Sequence, residues 1–162
     1  MRVLLTSFGS YGDLNPYLGL GLALKSRGHV PVLAVTSAYR RHVEDAGLEY
    51  HPTRPEGDPS DRAMVARIMD PMRGAEFLIK RVMMPGLRDM YDDLLDASRH
   101  VDLVVSHPLS FAAPVLCEHR GLPWAASVLA PLSFFSRLDP PLAVPSPVAA
   151  ALHRRWPGVY RP

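Results

Sequence analysis

The sequence predicts an α/β domain built on a doubly wound parallel sheet. Three observations carry that prediction. Apolar runs alternate with helical patterns in the order β-α-β-α-β-α-β-α-β, which is how a parallel sheet with helices on both faces reads. The run Val32-Leu33-Ala34-Val35 is continuously apolar rather than alternating, as a strand buried on both faces is. The stretch Gly9-Ser10-Tyr11-Gly12-Asp13-Leu14-Asn15-Pro16 lies between the apolar Val3-Leu4-Leu5 and a helical pattern. That is a strand, a tight glycine turn and a helix start.

Taken in order, the first strand is expected over residues 2–8 and the first helix over 15–27, ended by Gly28. Gly9 and Gly12 let the backbone turn sharply and approach a ligand. Asn15 is expected to cap the helix and Pro16 to occupy its first turn, where a missing N–H costs nothing. Asp13 is then left in the loop, at the mouth of a crevice, where it either serves a ligand's hydroxyl or merely caps the helix. Gly19 and Gly21 weaken this helix and mark close packing on the sheet. The second strand spans 29–36, with Pro31 tolerable near its start. A helix over 38–46 closes at Gly47, and a short third strand follows over 48–52.

Residues 53–61 are polar and rich in Pro, Gly and Asp, hence a loop. Helical patterns return over 61–70 and 73–98, the second split at Pro85-Gly86. Met83-Met84 beside the break read as lid or pocket material or, more commonly for Met, as core filler. The fourth strand is Val101–Ser106, the next helix 109–120 with Gly121 as its stop, and the fifth strand 123–129. A proline-rich loop and a last helix over 147–155 complete the chain.

The totals bound the function. A length of 162 residues suits one domain with a real core, and 48% hydrophobic against 21% charged residues reads as soluble and globular. A net charge of +2, with scattered arginines, gives no nucleic-acid surface. One cysteine, Cys117, excludes an internal disulfide, and a cytoplasmic location is the default. Cys117 reads as a small buried hydrophobe. No run reaches the length of a membrane span, and the N-terminus enters a strand without a signal-peptide pattern. Neither His-x-x-x-His nor Cys-x-x-Cys occurs, so no metal site is expected.

In an open sheet of this kind ligands bind beyond the C-terminal ends of the strands. Right-handed crossovers bring the loops after strands one, four and five to one edge. Asp13, His107 and the Phe134-Phe135 loop should therefore converge. His107 either orients Asp13 or binds a polar group of a ligand. Ser10 shapes the loop or touches substrate, and Ser110 and Phe111 form packing or pocket wall. Phe134 and Phe135 point to a hydrophobic ligand or pack under the loop.

The motif at Gly9–Pro16 resembles the first loop of GT-B glycosyltransferases, in the branch of sterol, glycopeptide-antibiotic and rhamnolipid-type enzymes. Ser106-His107-Pro108-Leu109-Ser110-Phe111-Ala112-Ala113-Pro114 is similar to the same branch, as are Gly121-Leu122-Pro123-Trp124 and Leu129–Phe135. The resemblance implies a Rossmann-like domain, the N-terminal half of a GT-B fold. It implies an inverting, metal-independent hexosyltransferase with Asp13 as general base, where many relatives carry histidine. Ser10, Gly12, His107, Ser110, Phe111, Phe134 and Phe135 would contact the acceptor; Gly9, Gly12, Asn15 and Pro16 would shape the loop. There is no resident cofactor; a UDP- or dTDP-sugar is the co-substrate, held by a second domain. Residues 1–162 are then one acceptor-binding domain, incomplete at its C-terminus, and inactive alone. Its partners are a hydrophobic small-molecule acceptor (lipid, sterol or natural product) and a donor domain in the same chain or another. Peripheral membrane contact is compatible with this reading, and the oligomeric state is open.

Two rival readings stand beside it. A dinucleotide-binding domain suits the fold, but Gly9-Ser10-Tyr11-Gly12 is not Gly-x-Gly-x-x-Gly, and Val35-Thr36-Ser37 offers no acid for a ribose. The other is a non-catalytic acceptor-binding subunit of a split enzyme.

Overall fold

Five parallel strands form one sheet in a computed structural model that describes residues 1–57 and 60–129. They are β1 (Arg2–Thr6), β2 (Val30–Val35), β3 (Glu49–Pro52), β4 (Leu103–Ser106) and β5 (Trp124–Ala126), in the spatial order β3-β2-β1-β4-β5. β1 is central: Thr6 pairs with Ala34 of β2 on one side and Ser106 of β4 on the other.

Alternation along β1 divides the core between the two faces. Val3 and Leu5 pack with Leu14, Tyr17, Leu33, Val43 and Leu48 under α1 (Tyr11–Ser26) and α2 (Arg40–Asp45). Leu4 packs on the other face with Val104, Met90, Leu94, Leu116 and Cys117 under α5 (Leu87–Ala97) and α6 (Ala112–Arg120). Between β3 and α5 lie α3 (Arg62–Ile68) and α4 (Gly74–Phe77), the latter continuing as a π turn over Leu78–Met83. The break before α5 falls at Met84–Gly86, where the Pro85-Gly86 pair was expected to act. Met83 is fully buried, while Met84 is half exposed. Cys117 is buried, and desolvation pushes its thiol up.

The start of α1 departs from the sequence reading. The helix begins at Tyr11, with extended Ser10 as its cap. Ser10 Oγ accepts the N–H of Gly12 at 3.2 Å, and Asp13 Oδ2 accepts the N–H of Ser10 at 2.7 Å. This reciprocal box satisfies the first orphan donors of the helix, so Asn15 has no capping role. Asn15 and Pro16 are exposed residues inside the helix. Pro16 removes the ladder bond to the carbonyl of Gly12, four residues back. Asp13 stands in the first helical turn rather than in the loop.

The two helix glycines also differ. A Cβ on Gly21 would lie 2.8 Å from Leu48 Cδ1, so this residue does mark close approach to the sheet; Gly19 has nothing within 4 Å and packs on nothing. At the other end of the sheet β4 starts at Leu103, and Asp102 just before it accepts the N–H of Arg2 at 2.7 Å and donates its own N–H to the Arg2 carbonyl at 2.9 Å. The helix expected from 109 begins at Ala112, and β5 is three residues long. The expected helix over 147–155 and the Phe134-Phe135 loop lie outside the described residues. Among the described residues, no helix is long and apolar enough to cross a membrane.

Candidate functional site

From β1 the chain runs outward through β2 to β3, and the later strands β4 and β5 lie on its other side. The switch point is therefore the crevice beyond Thr6 and Ser106, where open α/β sheets bind ligands. Two segments enter it. The first leaves β1 through Ser7–Ser10 into α1 and presents Asp13. The second leaves β4 at His107, whose N–H is held by the carbonyl of Thr6 at 2.9 Å.

Asp13 Oδ1 lies 3.4 Å from His107 Nε2. The imidazole is nearly buried, and the carboxylate keeps 31% of its side-chain surface exposed. The N–H of Leu109 points at His107 Nδ1, 3.3 Å away. That nitrogen thus accepts, which leaves Nε2–H to face Asp13. Ser10 Oγ adds a bond to Asp13 Oδ2 at 3.0 Å. The His107 hydrogen bond, opposed by burial and reinforced by the two bonds from Ser10, holds the Asp13 carboxyl below its ordinary value of 3.8.

The loop is built around this carboxylate. Gly9 has φ +139, which a side chain rarely allows, and the Tyr39 hydroxyl donates to its carbonyl at 2.8 Å. Ser7 Oγ donates to the carbonyl of Asp13 at 3.2 Å.

The structure thus brings Asp13, His107 and Ser10 together, with Gly12 exposed beside them. Ser110 is buried with its hydroxyl 3.2 Å from Thr6 Oγ1, so it braces β1 against the turn after β4. Phe111 is half-buried against the core under α5 and α6. Phe134 and Phe135 lie outside the described residues. Two residues were missed from the sequence. Tyr17 places its ring edge-on to His107, with centroids 6.4 Å apart; its spacing of four from Asp13, on one helix face, was the signal. Tyr39 gave no sequence signal. A cleft of about 420 Å³ lies at the opposite, N-terminal edge of the sheet, between Arg2, Glu49, His51, Asp96 and His100. Arg2 pairs there with Glu49 and Arg99 with Asp96, and His51 Nε2 lies 3.3 Å from the same Asp96 carboxylate.

No protein-family model matches the chain. The O-mycaminosyltylonolide 6-deoxyallosyltransferase of Streptomyces fradiae is 35% identical over 116 residues, which make up 68% of this chain and 27% of that protein. The sterol 3-beta-glucosyltransferase of Neurospora crassa is 29% identical over 128 residues, 76% of this chain and 8% of that protein. The chain thus spans about a quarter of the first relative and under a tenth of the second. Among solved structures, the glycosyltransferase SsfS6 of Streptomyces sp. SF2575 is similar with a TM-score of 0.55 at 26% identity, over 78% of this chain and 38% of its own. SsfS6 has also been solved with thymidine diphosphate. The chain is therefore a homologue of glycosyltransferases, macrolide-sugar and sterol glucosyltransferases among them, and its five-stranded Rossmann-like sheet matches GT-B structures.

Proposed function

We propose that this chain is the acceptor-binding domain of an inverting, metal-independent glycosyltransferase that works in the cytoplasm. The observation that carries the proposal is the Asp13–His107 pair at the switch point of a glycosyltransferase-like sheet. The donor is a UDP- or dTDP-sugar, bound by a second domain in the same chain or a partner chain. The thymidine diphosphate bound to SsfS6 supports a nucleotide donor. The acceptor is a hydrophobic alcohol, in keeping with the macrolide and sterol relatives.

In the step we propose, the acceptor oxygen attacks the anomeric carbon. The bond from that carbon to the diphosphate oxygen breaks, and its electron pair leaves with the nucleoside diphosphate. The acceptor proton passes to the Asp13 carboxylate. His107 Nε2–H and Ser10 fix that carboxylate and keep it ionised. The same bonds make it a weak base, so alignment of the hydroxyl supplies most of the rate. Alone, the chain transfers no sugar.

The test is turnover of radiolabelled UDP- and dTDP-sugars on sterol and macrolide acceptors by a complete protein carrying this domain, and by the chain alone. Transfer by the complete protein only is expected. Transfer by the chain alone, or by neither with saturable NADH binding instead, would overturn the reading.

A further inference from the structure

The proposed chemistry uses Asp13, His107 and Ser10 and leaves Tyr17 unexplained. Tyr17 is 2% exposed and sits one helical turn after Asp13 on the same face of α1. Its ring stands at 71° to the His107 imidazole. A buried phenol needs a hydrogen-bond partner, and this one bonds Ser127 Oγ, just past β5. Ser127 Oγ donates to the carbonyl of Ser106 at 3.2 Å, and its N–H reaches the same carbonyl at 2.9 Å. A serine hydroxyl has one proton. With that proton committed to Ser106, Tyr17 is the donor.

The hydrogen bonds then run one way, from Tyr17 O–H to Ser127 Oγ and from Ser127 O–H to the Ser106 carbonyl. That carbonyl belongs to the peptide whose N–H is that of His107, and Thr6 holds this N–H from the other side. Trp124 Nε1 donates to Ser106 Oγ at 2.8 Å, fixing the same residue a third way. Among the described residues, the titratable groups facing the imidazole are Asp13 and Tyr17, both from α1.

We propose that Tyr17 is a positioning residue for His107, setting the imidazole against Asp13 by ring contact and through the Ser127–Ser106 hydrogen-bond chain. This rests on the Asp13–His107 site proposed above, and its readout does not require turnover. Tyr17→Phe keeps the ring and the packing and removes the donor; Ser127→Ala removes the relay.

The experiment is NMR of the chain with labelled histidine. Each single variant is expected to move the His107 ring resonances. Exchange of the His107 N–H should quicken about fivefold, as for the loss of one hydrogen bond. The double variant should go no further than the larger single, since both act through one chain. In the complete enzyme Tyr17→Phe should lower kcat and leave the donor KM unchanged. A His107 ring and amide unmoved by Tyr17→Phe overturn the proposal, even where the melting temperature falls. Additive single effects overturn it too. A shifted His107 in a protein whose turnover ignores Asp13→Asn keeps the positioning role and overturns only the glycosyl-transfer reading.

Discussion

Asp13 occupies the space that a side chain at position 9 would need. A Cβ built on Gly9 lies 2.2 Å from Asp13 Oδ2 and 2.7 Å from its Cγ. Gly9 is therefore glycine for two reasons at once, its positive φ and the carboxylate beside it.

Gly9→Ala should cost about 2 kcal/mol of stability, the usual size of such backbone strain, and push Asp13 off His107. Thermal unfolding measures the first effect. The second is read from the His107 ring signals, which should approach those of Asp13→Ala. A Gly9→Ala protein as stable as the parent, with His107 unmoved, would contradict the geometry.

Asp13→Asn tests the chemistry while sparing the helix. The amide oxygen can still accept the N–H of Ser10, so α1 keeps its cap. The amide NH2 then faces His107 Nε2–H, and no base remains. In the complete enzyme, turnover should fall by about 10²–10⁴, the usual contribution of a general base. Circular dichroism should be unchanged. An unaltered rate would remove Asp13 from the mechanism.

The depressed Asp13 carboxyl fixes a pH dependence. Its ionised form is favoured by folding, so it contributes stability that is fully present above the ordinary value of 3.8 and lost as pH falls through its lower folded value. Acid unfolding below about 3.8 should be steeper for the parent than for Asp13→Asn. In His107→Ala the strongest support of the charge is gone, and the Asp13 titration, followed by carboxyl carbon NMR, should move up. A titration that stays in place would assign the depression to Ser10 alone.

Gly19 and Gly21 should answer the same substitution with opposite signs. Gly19→Ala meets open space and gains helix propensity, so it should stabilise by about 0.5–1 kcal/mol. Gly21→Ala drives a methyl to 2.8 Å from Leu48 and 3.2 Å from Leu33, and should destabilise by about 1–3 kcal/mol. Chemical denaturation of both variants decides the matter.

These two glycines also show where sequence reading stops. Both weaken the helix alike, but residues two apart point about 200° away from each other around its axis, and only the tertiary fold says which faces the sheet. The strands were legible because runs such as Val32–Val35 must be covered on both faces. The meeting of Asp13 and His107, 94 positions apart, followed from topology alone: both leave C-terminal strand ends at the switch point. The start of α1 was misplaced because two helix signals compete there. Asn15-Pro16 is the louder one locally, yet the reciprocal bonds of Ser10 and Asp13 begin the helix earlier. Tyr39 bonds Gly9 and Tyr17 bonds Ser127, 30 and 110 positions away; the place of Tyr17 one turn after Asp13 is legible locally, but these two partners are not.

The capping box joins the helix to the chemistry. The carboxylate proposed to take the acceptor proton is the one that closes the first turn of α1 on Ser10. Once protonated, it is a poorer acceptor and no longer offsets the positive end of the helix. In the proposed step, loading the base would weaken the bonds from Ser10 that close the turn aiming it. The helix start and the proposed base would then share one carboxylate, so the protonation of one is the loosening of the other's cap.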